Sequence, residues 1–273
     1  MFAELCCTSN FTFLTGASHP DELVTRAYQL GYAGVGLTDE ASVSGSVRAH
    51  VAAEALGLPC VQGARFVTEE RIELTLLAPN RAAWAELCSL ISLARRRADK
   101  GHYQLSRRDL IGRTDHVLCL WHPDPWSLHW TQDIETLQHA FRGRFWIAAH
   151  LPENGLQAEL AERIDLTAFE WNLPVVATQR PLLHIRQRLK LQHTLTAIRL
   201  GQPLTEIADA LERSSERVLL DQAALKQRYP AVWLTESLNL LDRFGFKLSD
   251  LRYEYPREIC PPHYTDEHTF LRD

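Results

Sequence analysis

ELCCTSNFTFLTGASHPDELVTRAYQLGYAGVGLTDEASVSGSVRAH, residues 4–50, is the stretch that decides the fold. Glu4-Leu5-Cys6-Cys7 reads as a short buried strand running into a polar turn. Ser18-His19-Pro20-Asp21-Glu22 then carries a helix start, with Ser18 as the expected N-cap, a proline in the first turn and two acids beside the positive end of the helix dipole. That helix is expected to run to Leu30 and stop at Gly31. Ala33-Gly34-Val35-Gly36-Leu37-Thr38 is again strand-like, and it ends in the acidic pair Asp39-Glu40. Strand, helix, strand in this rhythm is a parallel βα unit.

Working outward, the rhythm repeats. A helix is expected over 47–56, a short strand over 59–63, a longer strand over 72–78 and a helix over 81–98. Strands over 145–149 and 175–178 flank a helix over 157–171. The pattern predicts an α/β fold that reads as barrel-like rather than doubly wound, although periodicity alone does not separate the two. Beyond about residue 186 the segments 189–200, 204–211, 221–228 and 234–244 read as helices without intervening strands. The expected organisation is therefore a barrel over 1–190, a short helical segment over 191–250 and an extended stretch over 251–273.

Composition narrows the function classes. Hydrophobic residues at 45% and charged residues at 23% are ordinary for a soluble domain, and no run approaches the ~20 apolar residues that span a bilayer. The first residues, MFAELCCTSNF, lack a basic region followed by an apolar run, so no secretory signal is expected and the cytoplasm is the expected location. Six cysteines without a CxxC pair fit reduced thiols, with the adjacent Cys6 and Cys7 read as buried and structural. A formal charge of -5 argues against strong nucleic-acid binding by this chain alone.

Three stretches carry a specific resemblance: residues 4–50, CVQGARF at 60–66 with ELTLLAPN at 73–80, and LPVVATQRPLLH at 173–184. They resemble the PHP (polymerase and histidinol phosphatase) domain at the N-terminus of bacterial C-family DNA polymerases, similar to the α subunit of DNA polymerase III. ARRRADKGHYQLSRRDL at 94–110, LTAIRLGQPL at 195–204 and LRYEYPREICPP at 251–262 are similar to its error-prone branch. The resemblance runs along essentially the whole chain. It implies a PHP-type barrel and a parent that performs DNA-directed nucleotidyl transfer in translesion synthesis, DNA repair and damage-induced mutagenesis. The parent's catalytic Mg²⁺ is expected in a palm domain whose extended start would be 251–273. The implied partners are the remainder of the polymerase chain, DNA through that parent, and accessory proteins, with no membrane.

Metal-dependent members of that family end their strands in His-x-His-Ser, Thr-Asp-His, Gly-x-Glu and Asp-x-His. The matching positions here are Cys6 and Thr8, Asp39 and Glu40, Arg65, then Arg180 and Leu182. Only Asp39 keeps a family ligand. A guanidinium has no lone pair and stays protonated, so Arg65 and Arg180 repel a cation rather than bind one. The expectation is a vestigial metal site with no metal or cofactor, no catalytic residue in this chain, and an arginine plug paired with Asp39 or Glu40, Asp39 foremost. The alternatives are a metal-dependent phosphoesterase or 3′–5′ exonuclease, and a stand-alone interaction module.

The other polar candidates read as structural. His150, after a strand, is a leftover ligand or a structural residue; His122, His129, His139 and His184 lack metal-type spacing. Arg95, Arg96 and Arg97 read as a solvated helix end, with DNA contact as the alternative. Arg186, Arg188 and Lys190, with Arg199, His184 and His193 nearby, are candidates for nucleic-acid or interdomain contact. Trp121, Trp126 and Trp130 are expected to pack a loop around Pro123-Asp124-Pro125.

Overall fold

The computed structural model describes residues 1–124, 131, 134–153, 155–212, 216–252, 261, 263–264 and 267–272. Its strands are β1 (Ala3–Cys7), β2 (Gly34–Leu37), β3 (Cys60–Val67), β4 (Glu73–Leu77), β5 (Leu118–His122), β6 (Phe145–Ala149) and β7 (Val175–Ala177), which pair in chain order. β1, β2 and β3 run parallel, as do β5, β6 and β7; β4 alone is antiparallel to both neighbours. Helices α1 (Pro20–Gln29), α2 (Ser46–Leu56), α3 (Arg81–Arg96), α4 (Ile134–Ala140) and α5 (Gln157–Trp171) complete a distorted, nearly closed α/β barrel.

The edges β1 and β7 are joined by side chains and loops instead of a ladder. The buried Glu4 carboxylate accepts hydrogen bonds from Thr178 Oγ1 at 2.6 Å and from the Gln179 amide at 2.7 Å. Burial pushes its pKa upward against those bonds. Past the strand end, the Thr8 amide donates to Pro181 O and the Ala17 amide to Leu182 O, both at 3.0 Å.

The period-two alternation of the strands builds the barrel interior in layers. Leu77 of β4 lies opposite Leu118 of β5, Thr75 opposite Leu120, and Glu73 opposite His122. Leu5, Val61, Leu77, Leu118, Leu120, Trp146, Ala148 and Val176 form the apolar inner cluster. The same parity continued toward the carboxyl ends of the parallel strands brings in charged and polar residues.

Among the later helices, α6 (Leu189–Leu200), α7 (Gln222–Arg228) and α8 (Ala231–Leu241) follow, with α9 (Glu267–Arg272) near the end. α8 packs against β1 and β7. Ser237 Oγ accepts from the Ala3 amide at 3.1 Å, and the fully buried Leu240 joins the inner cluster. The helical segment thus contributes to the barrel's own closure. No helix among the described residues is long and apolar enough to cross a membrane.

Several sequence expectations change in detail. Ser18 is not the cap of α1: position 19 takes that place, the Glu22 carboxylate accepting from the His19 amide at 2.8 Å, and Ser18 Oγ turns to His184 Nδ1 at 2.8 Å. Residues 204–211 form two short 3₁₀ turns, Leu204–Glu206 and Ala208–Ala210, after Pro203. The helix expected over 234–244 starts three residues earlier, behind Pro230, whose fixed φ suits the position before a first turn. Trp121 sits in β5, stacked on Phe145 at 6.2 Å between ring centroids, rather than in a loop. Trp126 and Trp130 lie outside the described residues, as does most of 251–262; within 251–273, Glu267–Arg272 is helical.

Candidate functional site

The polar layer sits where the parallel strands end. β2 delivers Asp39 and Glu40, β3 delivers Arg65, β5 ends in His122, His150 follows β6, and Arg180 follows β7. β4 runs the other way, so its first residue, Glu73, arrives at the same end. Arg180 has a positive φ of 49°, a conformation unusual outside glycine. Two hydrogen bonds hold it there: its amide donates to Thr178 Oγ1 at 3.1 Å, and its carbonyl accepts from Arg217 Nε at 2.9 Å.

These side chains form a closed ion cluster. Arg65 NH2 pairs with Glu40, and Arg65 NH1 with Glu73 Oε1 at 2.6 Å. Arg180 NH2 pairs with the same Glu73 oxygen. Tyr103 donates its hydroxyl to Glu40 at 2.9 Å. Burial would raise the pKa of Glu73, but the charges of Arg180, His122 and Arg65, in that order, overcome it and hold it at about 2. Beside it, His122 Nε2 meets Thr75 Oγ1 at 2.8 Å, while its buried Nδ1 has no partner. Burial and the charge of Arg180 push His122 down to about 3; burial with Arg217 and Arg180 does the same to His150. Both rings are therefore neutral at physiological pH.

Asp39 does not join the cluster, which corrects the expectation that it is the arginines' counter-ion. Its carboxylate accepts from the Ser9 amide at 2.8 Å, Ser9 Oγ at 2.7 Å and Thr12 Oγ1 at 2.8 Å. The loop after β1 thus supplies the donors that satisfy Asp39. Gly16 lets that loop close, because a Cβ there would sit 2.1 Å from Ser9 O. The expected pairing with Glu40 does form. The sequence reading missed Glu73 and set His122 aside.

The remaining candidates scatter. Cys6 is buried, its thiol pushed up to about 12 by burial and the charge of Glu4, so no thiolate is available. Thr8 and Leu182 are buried and serve the β1–β7 junction, Thr8 through its amide and Leu182 through its carbonyl. Arg95 turns inward instead of ending in solvent: its Nε and NH2 donate to Ala41 O and Glu40 O at 3.1 Å, and it lies over the Tyr103 ring. Arg97 forms a two-oxygen contact with Asp109 at 2.8 Å, and Arg96 is exposed. Arg188 pairs with Glu22, while Arg186 and Lys190 are exposed.

A metal does not fit this donor set. Glu40 and Glu73 are consumed by guanidinium groups, and no group of three or more His, Cys, Asp or Glu side chains among the described residues is placed to hold an ion.

A barrel built this way, with chemistry-bearing positions at one rim, defines a class: the chain belongs to the PHP domain family, which matches residues 4–140. It is 43% identical over 95% of its length to the error-prone DNA polymerase of Dechloromonas aromatica, 42% over 97% to that of Methylococcus capsulatus, and 40% over 97% to that of Vibrio campbellii. The chain spans about a quarter of the length of these relatives, 25–26%. Among solved structures, an amidohydrolase from Chromobacterium violaceum is similar with a TM-score of 0.48 and 17% identity, covering 65% of this chain and 86% of that one.

Proposed function

We propose that this chain is the non-catalytic N-terminal PHP domain of an error-prone DNA polymerase, a structural support for DNA-directed nucleotidyl transfer during translesion synthesis, DNA repair and replication past DNA damage in the cytoplasm. The observation that carries the reading is the Glu40–Arg65–Glu73–Arg180 cluster, which fills the rim where a PHP phosphoesterase would need metal ligands. Two permanent cations facing two carboxylates give the rim an internal counter-charge, so the barrel mouth needs no ion to be electrically satisfied. The relatives' names support the polymerase half of the reading, and on it the remainder of the polymerase, with Mg²⁺ in its palm, performs the chemistry on DNA. The helical segment 191–250 and the stretch 251–273 would lead to that remainder, and accessory proteins would join through the assembled polymerase.

The test pairs two measurements on the purified chain. Hydrolysis of p-nitrophenyl phosphate and of single-stranded DNA is followed with Mg²⁺, Mn²⁺ or Zn²⁺, and the melting temperature is compared before and after chelator washing. The reading expects no turnover and an unchanged melting temperature. Metal-dependent turnover that disappears in Glu73→Gln would overturn it in favour of a phosphoesterase or 3′–5′ exonuclease.

A further inference from the structure

Two helices, α5 and α6, turn apolar side chains to solvent. α5 is amphipathic in the ordinary way on its inner side, where Leu160, Ile164 and Thr167 are buried. Its outer side nevertheless carries Leu166 and Phe169, one turn apart and 62% and 88% exposed. α6 is inverted. Its buried residues are polar, Gln192 and Thr196, bonded to each other at 3.0 Å, while Leu191 and Ile198 are exposed. Those two leave the helix on one stripe, two turns apart, with the half-buried Leu195 between them. Apolar side chains gathered on a solvent face, with polar ones beneath, mark a surface that another chain covers.

The charges say which chain. α5 carries Glu159, Glu162, Asp165 and Glu170 against a single base, Arg163, whereas α6 carries Lys190 and Arg199 and no acid. Asp165 accepts from Trp233 Nε1 at 3.1 Å, and Arg163 has a partner of its own. The side chains of Glu162, Glu170, Lys190 and Arg199 are exposed and make no ion pair among the described residues. Glu162 and Glu170 bracket the Leu166 and Phe169 pair, about 12 Å apart along the helix; Lys190 and Arg199 bracket the Leu191 and Ile198 stripe, about 13–14 Å apart. Two acids and two bases spaced alike around apolar centres are complementary whichever way the helices run.

We propose that the α5 face of one copy of this chain docks on the α6 face of a second copy, so that the chain self-associates. Leu166 and Phe169 meet Leu191 and Ile198 at the centre, and Glu162 and Glu170 meet Lys190 and Arg199 at the rim. The contact joins two different patches, so it is heterologous unless a two-fold axis makes it twice. The proposal does not depend on a polymerase role for the chain.

The experiment uses the full 273-residue chain. Sedimentation equilibrium follows the molecular mass up to about 0.5 mM protein, where even weak association shows, at low and high salt. Wild type is compared with Phe169→Glu, Ile198→Glu, a 1:1 mixture of these two, Glu162→Lys combined with Glu170→Lys, and Val51→Glu as a control at an exposed apolar position of α2; circular dichroism reports the fold. The expected result is a concentration-dependent species of two or more chains that high salt weakens by screening its rim. Phe169→Glu, Ile198→Glu and the double lysine variant each weaken it by about tenfold or more, and Val51→Glu leaves it unchanged. The mixture regains a two-chain species, because one partner keeps its α5 face and the other its α6 face. A monomer throughout overturns the proposal. So does a folded Phe169→Glu, Ile198→Glu or double lysine variant that assembles as wild type, or a mixture that stays monomeric.

Discussion

Replacing Glu73 with glutamine should destabilise the chain at neutral pH more than any surface ion pair would. Glu73 serves two arginines at once, Arg65 and Arg180, and no more than 22% of any of the three side chains is exposed. Its pKa falls from 4.5 to about 2, which at ~1.4 kcal/mol per pH unit corresponds to about 3 kcal/mol of folded-state preference for the charged form. Solvent contact at the rim trims this to about 2–3 kcal/mol. The variant also leaves Arg180 without a carboxylate partner, and breaking a buried pair from one side costs about 3–5 kcal/mol where burial is complete. Urea denaturation at pH 7 should therefore show a loss of about 2–4 kcal/mol in Glu73→Gln, with the slope against denaturant unchanged. The sign with pH follows from a depressed carboxylate. Its contribution is fully present above 4.5 and lost as pH falls toward 2, so the gap between wild type and variant should narrow across that interval. Glu73→Gln combined with Arg180→Met should recover part of the loss, since no lone cation then remains. A loss below about 1 kcal/mol at pH 7, the size of an exposed pair, would refute the plug.

Three other outcomes follow from the same geometry. His122 is neutral in the fold down to about 3 but protonates near 6.5 when unfolded, so it removes stability as pH falls between those values, by about 1.4 kcal/mol per pH unit; His122→Gln should flatten the stability curve between pH 6 and 4 by about that slope, and an unchanged slope contradicts the burial assigned to this ring. Leu240→Ala, which empties the point where α8 enters the inner cluster, should cost about 2–5 kcal/mol by thermal or urea unfolding; a loss under 1 kcal/mol would mean that α8 does not close the barrel. Asp39→Ala strips the acceptor from Ser9 and Thr12, so amide exchange in residues 8–17 should rise sharply while the strands stay protected, with a global cost of about 1–3 kcal/mol.

Much of the architecture was legible because parallel βα units advertise themselves through short apolar runs, capped helices and glycine stops. Arg65 and Arg180 could be placed in one cavity before any coordinates because the resemblance to the PHP domain maps both onto its metal-ligand positions. Glu73 escaped for a topological reason. The rule that chemistry gathers at carboxyl ends of strands assumes parallel strands, and β4 is reversed, so the residue that matters is its first. The alternation Glu73-x-Thr75-x-Leu77 held the signal, but it points to the rim only once the reversal is known. β5 was hidden by the neighbouring Trp121-His122-Pro123-Asp124-Pro125, whose prolines argue for a loop and mask the five buried residues that precede them.

The choice of Glu73 over Asp39 as the arginines' partner also has a steric logic. Asp39 is short, and its three donors from the loop at Ser9 and Thr12 lie within 2.8 Å; an arginine reaching it would have to displace a backbone amide. Glu40 is one methylene longer and half-buried, and Glu73 comes from β4 on the other side of β3, so the guanidinium of Arg65 on β3 bridges the two. Burial raises the pKa of Asp39 while arginine contact depresses that of Glu73, which separates two carboxylates at one rim into a loop anchor and an ion-pair bridge. Exchanging their roles would take a longer side chain at 39 and a reorganised loop at 8–17. A single substitution at Arg65 or Arg180 therefore leaves Asp39 anchored, and restoring a metal-binding rim requires changes on at least two strands.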